Sequence, residues 1–266
     1  MGEVPESHPR YTSLMARQRM TEAAAAGMLA DSALIAHGRG EAFDYLLGEQ
    51  TCEAGLQAIR ESATRLRAAE NPVICINGNA AALAADELLS CAAVLQCPVE
   101  INIYYRTEKR IKAIQAHLNS RKQALSNMSP PDDWNVERNW SSDVAGVTIL
   151  GDTPDGAIEN LDGPRAACHS DGILAADVLL VPLEDGDRCE TLVAMGKEVC
   201  VIDLNPMSRT ARYATVCIVD ELRRATTHLL SELLRGGEKP TIEWDSETNR
   251  ANSLAVMLAS LQRFEA

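Results

Sequence analysis

Aromatic residues are scarce in this chain: 4% of 266 positions, against 46% apolar residues overall. Its core therefore has to be aliphatic, which suits an α/β protein built on a buried parallel sheet. Basic residues are in deficit as well, with 25 Lys and Arg facing 38 Asp and Glu, a net charge of −13. Binding nucleic acid needs a basic surface, so that class of partner is excluded. No G-x-x-x-x-G-K-[ST] occurs, which removes a P-loop, and no H-E-x-x-H, which removes a zincin helix. His8, His37, His117, His169 and His228 have no metal-ligand spacing. The eight cysteines form no C-x-x-C pair, and several sit in apolar runs ("VICI", "EVCVI", "VCIV"). That is the pattern of buried free thiols in a reducing compartment. No apolar run approaches the ~20 residues of a membrane helix, and "MGEVPESHPR" lacks the apolar stretch of a signal peptide. A cytoplasmic location away from any membrane is expected.

Against these absences stands a regular alternation. Six short apolar runs, each bounded by turn formers, read as buried strands: "PVICIN" (72–77), "PVEINIYY" (98–105), "VTILG" (147–151), "DVLLVPL" (177–183), "EVCVIDL" (198–204) and "TVCIVD" (215–220). Between them the apolar spacing turns helical. Ile111, Ile114 and Leu118 share a face, as do Leu222, Ala225, Leu229 and Leu233. The alternation predicts a Rossmann-like three-layer α/β/α fold with a mostly parallel sheet of about six strands. Residues 1–70 read as a mainly helical N-terminal part of a single catalytic domain spanning 1–235. Residues 236–266 read as a linker and a last helix on the same domain. The stretch "SNMSPPDDWNVERNWSSD" (126–143) is polar, carries Pro-Pro and has no apolar period, so it reads as a surface insertion.

In such a sheet ligands bind beyond the carboxyl ends of the strands, so polar residues just after each strand carry the information. After the first strand, Asn77 and Asn79 flank Gly78, a turn suited to an anion or polar ligand, or simply an Asn-capped helix start. After the second, Arg106 and Arg110 lie one helical turn apart and could clamp a phosphate or form a solvated face. After the fourth, Glu184, Asp185, Asp187 and Glu190 crowd around Gly186 and Arg188 and call for a positive partner. Mg²⁺ would suit such oxygens, with nucleotide phosphates completing the shell. After the fifth come Asp203, Asn205, Ser208 and Arg209, an acid that could take a ribose and two groups for phosphates.

One further stretch stands apart. "LIAHGRGEAFDYLLGE" (34–49) holds Gly38, Gly40 and Gly48, each costing about 1 kcal/mol in a helix relative to alanine. It reads instead as glycine-rich turns that bring the backbone and Arg39 up to a ligand. Glu41, Asp44 and Glu49 could fix Arg39, or another arginine, in place. With "HPRY" (8–11) and Arg17, these residues suggest a polyanion site for a nucleotide and a second anionic substrate. Two other readings use the same sheet. An NAD(P)-dependent oxidoreductase would want a glycine fingerprint after the first strand, where "NGNAAAL" offers a single glycine. A non-catalytic nucleotide-binding regulator would hold ATP without releasing pyrophosphate.

Taken together, "HPRY.SL..R", "LIAHGRGEAFDYLLGE", "NGN", "YYRTEKR", "DGI.AADVLLVPLEDGDR.E" and "IDLNP.SRTA" resemble the archaeal 4-phosphopantoate–β-alanine ligases, also called phosphopantothenate synthetases. The resemblance runs in order from His8 to about Ala225. It implies a Rossmann-like homodimer that joins 4-phosphopantoate to β-alanine on the route to coenzyme A, with ATP as substrate and Mg²⁺ as cofactor. For ATP it implies Arg17, Arg39, Glu184, Asp185, Gly186, Asp187, Arg188, Asp203, Asn205, Ser208 and Arg209. His37, Glu41, Asn77, Asn79, Arg106 and Arg110 are candidates for the other substrates or for catalysis, and Asp185 and Asp187 for the metal.

Overall fold

The structure, a computed structural model, describes residues 4–135, 137–237, 239–241 and 243–262. Residue 136 of the polar stretch, and residues 238, 242 and 263–266 of the expected linker and last helix, lie outside these. The chain opens with three helices: α1 (Tyr11–Ala25), α2 (Ala33–Leu47) and α3 (Glu53–Ala68). Strand and helix then alternate through β1 (Pro72–Ile76), α4 (Gly78–Leu95), β2 (Val99–Ile101), α5 (Glu108–Ser126), α6 (Trp140–Gly146) and β3 (Ile149–Leu150). A small antiparallel pair follows, β4 (Gly156–Ala157) and β5 (Ala167–Cys168). The chain continues through β6 (Val178–Pro182), α7 (Gly186–Ala194), β7 (Glu198–Ile202), α8 (Arg209–Tyr213), β8 (Val216–Ile218), α9 (Leu222–Arg235) and α10 (Ser246–Gln262).

Six strands form one parallel sheet in the order β3-β2-β1-β6-β7-β8. Leaving the small pair aside, this is the doubly wound order, and its direction of growth reverses between β1 and β6. Period-two alternation divides the core. Ile74, Ile76, Leu180, Cys200 and Ile202 face α3, α4, α5 and α9, while Val73, Cys75, Leu179, Val181 and Val201 face α7, α8 and α10. Both faces are covered, as the nearly unbroken apolar strands require. All eight cysteines are free and buried. Helix α4 is long and apolar enough to cross a membrane by composition alone, but 67% of it is buried, packed against α9 and the sheet.

Three local expectations change. Residues 33–47 are a helix despite Gly38 and Gly40. Tertiary packing outweighs propensity here: a Cβ at Gly40 would lie 3.5 Å from Leu204, so the helix backbone runs close to the turn after β7. Gly48 ends the helix in the left-handed region (φ 85°), the usual role of glycine just past a helix. The second strand stops at Ile101, leaving Asn102–Tyr105 as a loop. Finally, the 126–143 stretch, mostly exposed or part-exposed among its described residues, is nonetheless anchored at two points. Trp134 and Trp140 are both buried and meet edge to face with centroids 4.9 Å apart. Trp140 Nε1 donates to Leu125 O (3.2 Å), and Arg138 stacks on Trp134 while donating to Ala93 O and Val94 O. Two aromatic rings with polar edges do this without any apolar period. Trp140→Ala is therefore expected to cost about 3–5 kcal/mol in urea unfolding. A cost within about 0.5 kcal/mol, the range of a surface change, would remove Trp140 as an anchor.

Candidate active site

The reversal of strand order opens a crevice, and at its base sits Asn77. Its Oδ1 accepts from Ala80 N (3.0 Å) to cap α4, and its Nδ2 donates to Pro182 O (2.9 Å) and Leu183 O (3.0 Å) at the end of β6. Asn77 thus ties the two strand ends together, which uses its side chain structurally rather than on a ligand. Gly78 follows because a Cβ there would lie 2.6 Å from Met28 O. Leu183, with φ 54°, holds a left-handed backbone that side chains rarely adopt, at the mouth of the crevice.

Above this base lies a cleft of about 1110 Å³, ample for a nucleotide and a second small molecule. The cap residues of four helices, Asn77, Asp185, Ser208 and Glu221, line it, so the positive ends of α4, α7, α8 and α9 converge there. From the N-terminal helices come Arg19, His37, Arg39 and Glu41, and from the far side Arg110.

Charge is unevenly spent in the cleft. Among the described residues, Arg19, Arg39 and Arg110 enter no ion pair, whereas most other arginines around the site do. Arg110 is half-buried, and its guanidinium donates only to backbone, Met28 O (3.3 Å) and Tyr105 O (2.5 Å). Burial without a carboxylate pulls it below the usual arginine range. Asp203 is nearly enclosed, and burial pushes it up against the hydrogen bonds of Ser208 Oγ and Asn205 N and the nearby charge of Arg39. His37 is pulled below the ordinary histidine value by burial, which outweighs Glu41 and Glu221. Its Nε2 is shielded and has no partner among the described residues.

Of the residues singled out from sequence, the cleft brings together Arg39, Glu184, Asp185, Asp203, Asn205, Ser208, His37, Glu41, Asn77, Asn79 and Arg110. Six do not line it. Arg17 stands behind Glu41, bonded through Nε at 2.9 Å. Arg106 donates to Gly151 O, away from the cleft. Gly186 is covered by Arg209, whose side chain would lie 2.6 Å from a Cβ there. Arg209 and Asp187 pair with each other, and Arg209 also reaches Glu190 (2.6 Å). Arg188 is a correction of a different kind: it is 2% exposed, buried beneath the cleft. It pairs with Glu184 (2.9 Å) and donates to Asn102. The acidic loop's positive partner is thus supplied from inside the protein.

The metal expectation meets the same answer. Asp185 caps α7 and pairs with Arg165 (2.9 Å), and Asp187 pairs with Arg165 (3.3 Å) and Arg209. Among the described residues no group of three or more His, Cys, Asp or Glu is arranged to hold a metal. These two carboxylates do not fit a protein-held ion.

Sequence reading passed over Arg165, Tyr104, Tyr105, Asn102 and Arg224. Tyr104 and Tyr105 had been placed inside a strand, though the short strand puts them on the cleft wall, with Arg165 stacked over Tyr104 at 5.0 Å. Arg165 lies between β4 and β5, and no pattern marked that pair.

The fold and the cleft define an α/β protein of the doubly wound class with an arginine-bearing cleft at its switch point. Residues 54–263 match the family described as phosphopantothenate/pantothenate synthetase. Several relatives carry the name 4-phosphopantoate–β-alanine ligase. The one from Thermococcus onnurineus is 45% identical over 88% of this chain and 81% of its own length. Those from Methanospirillum hungatei and Methanosarcina mazei are 42% and 44% identical, each over 85% of this chain and over 83% and 79% of their own lengths. The chain belongs to the phosphopantothenate/pantothenate synthetase family.

Removing the cation from a buried pair strands the remaining charge. Arg188→Met is therefore expected to cost about 3–5 kcal/mol of stability in chemical unfolding. A variant of wild-type stability with weakened ATP binding would restore Arg188 to the ligand set.

Proposed function

We propose that this chain condenses 4-phosphopantoate with β-alanine, consuming ATP and releasing 4′-phosphopantothenate, AMP and pyrophosphate. The observation that carries this reading is the set of unpaired arginines in an otherwise acidic cleft, within a chain of this family. Two of the substrates are polyanions, and Arg19, Arg39 and Arg110 are guanidiniums that form no ion pair among the described residues.

The phosphopantoate carboxylate attacks the α-phosphorus of ATP and pyrophosphate leaves with the bonding electrons. The β-alanine amine then attacks the acyl carbon, the C–O bond to AMP breaks, and the amine gives up a proton. Positioning and charge neutralisation supply most of the catalysis. Arg39, near Asp203, serves the triphosphate, with Asn205, Ser208 and the helix ends at Asp185 and Ser208 beside it. Arg110, facing the cleft with only backbone partners, takes the phosphate of the second substrate. Burial holds His37 below the ordinary histidine value and so favours its neutral ring, which lines the cleft and is the candidate acceptor of the amine proton. Magnesium would come with the nucleotide phosphates, since Asp185 and Asp187 are already engaged by arginines. No step depends on it here.

The assembly proposed is a homodimer in the cytoplasm. Helices α2 and α10 pack on one another and leave Leu34, Ile35, Val256, Leu258 and Leu261 exposed, apolar surface suited to a second copy. The eight free thiols suit a reducing compartment.

Pyrophosphate release from ATP is expected only with 4-phosphopantoate present, and AMP in stoichiometric amount with amide once β-alanine is added. Release that ignores both acids would overturn the reading. Arg39→Ala should lower turnover at least ~10²-fold, the scale of one lost transition-state donor; near-normal AMP formation removes Arg39 from the site. His37→Gln should slow amide formation by ~10²-fold while leaving ATP affinity intact, and equal loss in both would assign His37 to binding alone.

A further inference from the structure

Helix α2 carries His37, Arg39 and Glu41 into the cleft, yet it has little apolar anchorage. Only Ala33 and Leu47 of its fifteen residues are buried, against ten of sixteen in α3. Leu47, with Phe43 and Leu46 beside it, packs the later part of the helix on the core and α10, and polar contacts add to this in setting where α2 sits. The structure shows one such device at the carboxyl end of β8. Asp220 there is 1% exposed and cannot stand alone as a charge. Arg224, one turn into α9, reaches it with Nε (2.8 Å) and Nη2 (2.5 Å). The same guanidinium reaches across to Asp44 of α2, with Nη2 at 2.6 Å. Thr51, in the turn after α2, donates to the other oxygen of Asp220 (2.6 Å). Two carboxylates thus share one arginine, and two of the attachments lie on the N-terminal segment. Arg224 and Asp44 both face the cleft.

We propose that Asp44, Arg224 and Asp220 form a clasp that seats α2 on the sheet, making Asp44 and Arg224 positioning residues for the nucleotide-binding Arg39. The proposal rests on the nucleotide assignment made above. The chemistry suits the task. A planar guanidinium with five donors can hold two carboxylates in fixed directions, whereas an ammonium cannot. Burial raises Asp220 above the usual carboxylate range even with Arg224 and Thr51 opposing it, so this end of the clasp tolerates no loss of its cation. The Asp44 end is the less enclosed of the two, its side chain 15% exposed against 0% for Asp220. Arg39 itself forms no ion pair among the described residues and has only the charge of nearby Asp203 beside it, so the seat of its helix does much to aim it.

The test is a double-mutant cycle on ATP affinity, measured by equilibrium titration of the full chain. Asp44→Asn keeps shape and removes charge at the tolerant end. It is expected to raise the Kd for ATP about tenfold, and Arg224→Gln at least as much. In an Arg39→Ala background, Asp44→Asn should add less than about threefold, because there is no arginine left to aim. Amide hydrogen exchange should quicken over residues 33–47 in Asp44→Asn while α4 keeps its protection, a readout available whether or not the variants bind ATP. A full tenfold loss in the Arg39→Ala background, or unchanged Kd and exchange in Asp44→Asn, would overturn the clasp. Arg39→Ala with wild-type affinity would overturn the nucleotide assignment of Arg39, and the clasp's purpose with it, even if exchange over α2 quickens.

Discussion

Where strand order reverses between β1 and β6, the Asn77 side chain donates to two carbonyls across the gap and accepts from the Ala80 amide in the first turn of α4. In a parallel sheet no helix covers this point, so the crevice is a necessity of topology rather than an ornament. The remainder of the site is arranged around it. Four helix starts aim at it, Leu183 holds a strained backbone at its mouth, and the buried Glu184–Arg188 pair forms part of its floor. Loss of the Asn77 bonds would leave the ends of β1 and β6 free to part, and with them the walls of the cleft.

Charge economy explains how an acidic chain can bind anions. Most arginines near the site are consumed by its own carboxylates: Arg17 by Glu41, Arg165 by Asp185 and Asp187, Arg188 by Glu184, Arg224 by Asp44 and Asp220. Those pairs build the walls. Among the described residues, Arg19, Arg39 and Arg110 line the cleft without an ion pair, and these are the guanidiniums proposed to meet a ligand. A carboxylate at any of the three would compete with substrate phosphate, and its absence is a stronger functional mark than the abundance of arginine. The acidic loop after β6 follows the same logic. It looked like a cation site because four carboxylates repel, but arginines from β4–β5, α7 and α8 neutralise them.

Much of this was legible in the chain. Alternating apolar runs mark all six strands of the main sheet, because a strand buried on both faces leaves a nearly unbroken aliphatic signature. The loops after β1, β2, β6 and β7 were legible because polar residues interrupt the apolar runs there, at the strand ends where ligands bind in such a sheet. Propensity misled at α2, where two glycines argued against a helix that tertiary contacts hold, and at Trp134 and Trp140, isolated rings that no period reveals. It was equally silent on Arg165 and Arg224, whose partners lie 20 and 180 residues away in sequence at Asp185 and Asp44.

The sequence by itself determined the sheet, the order of its elements and the motifs of its family, since all of these rest on periodicity and local composition. Only the tertiary structure decided which arginines are free. A guanidinium looks the same in sequence whether it answers a buried Glu184 or an absent phosphate. The difference is a matter of which carboxylate the fold brings within about 3 Å, and how much water it leaves between them.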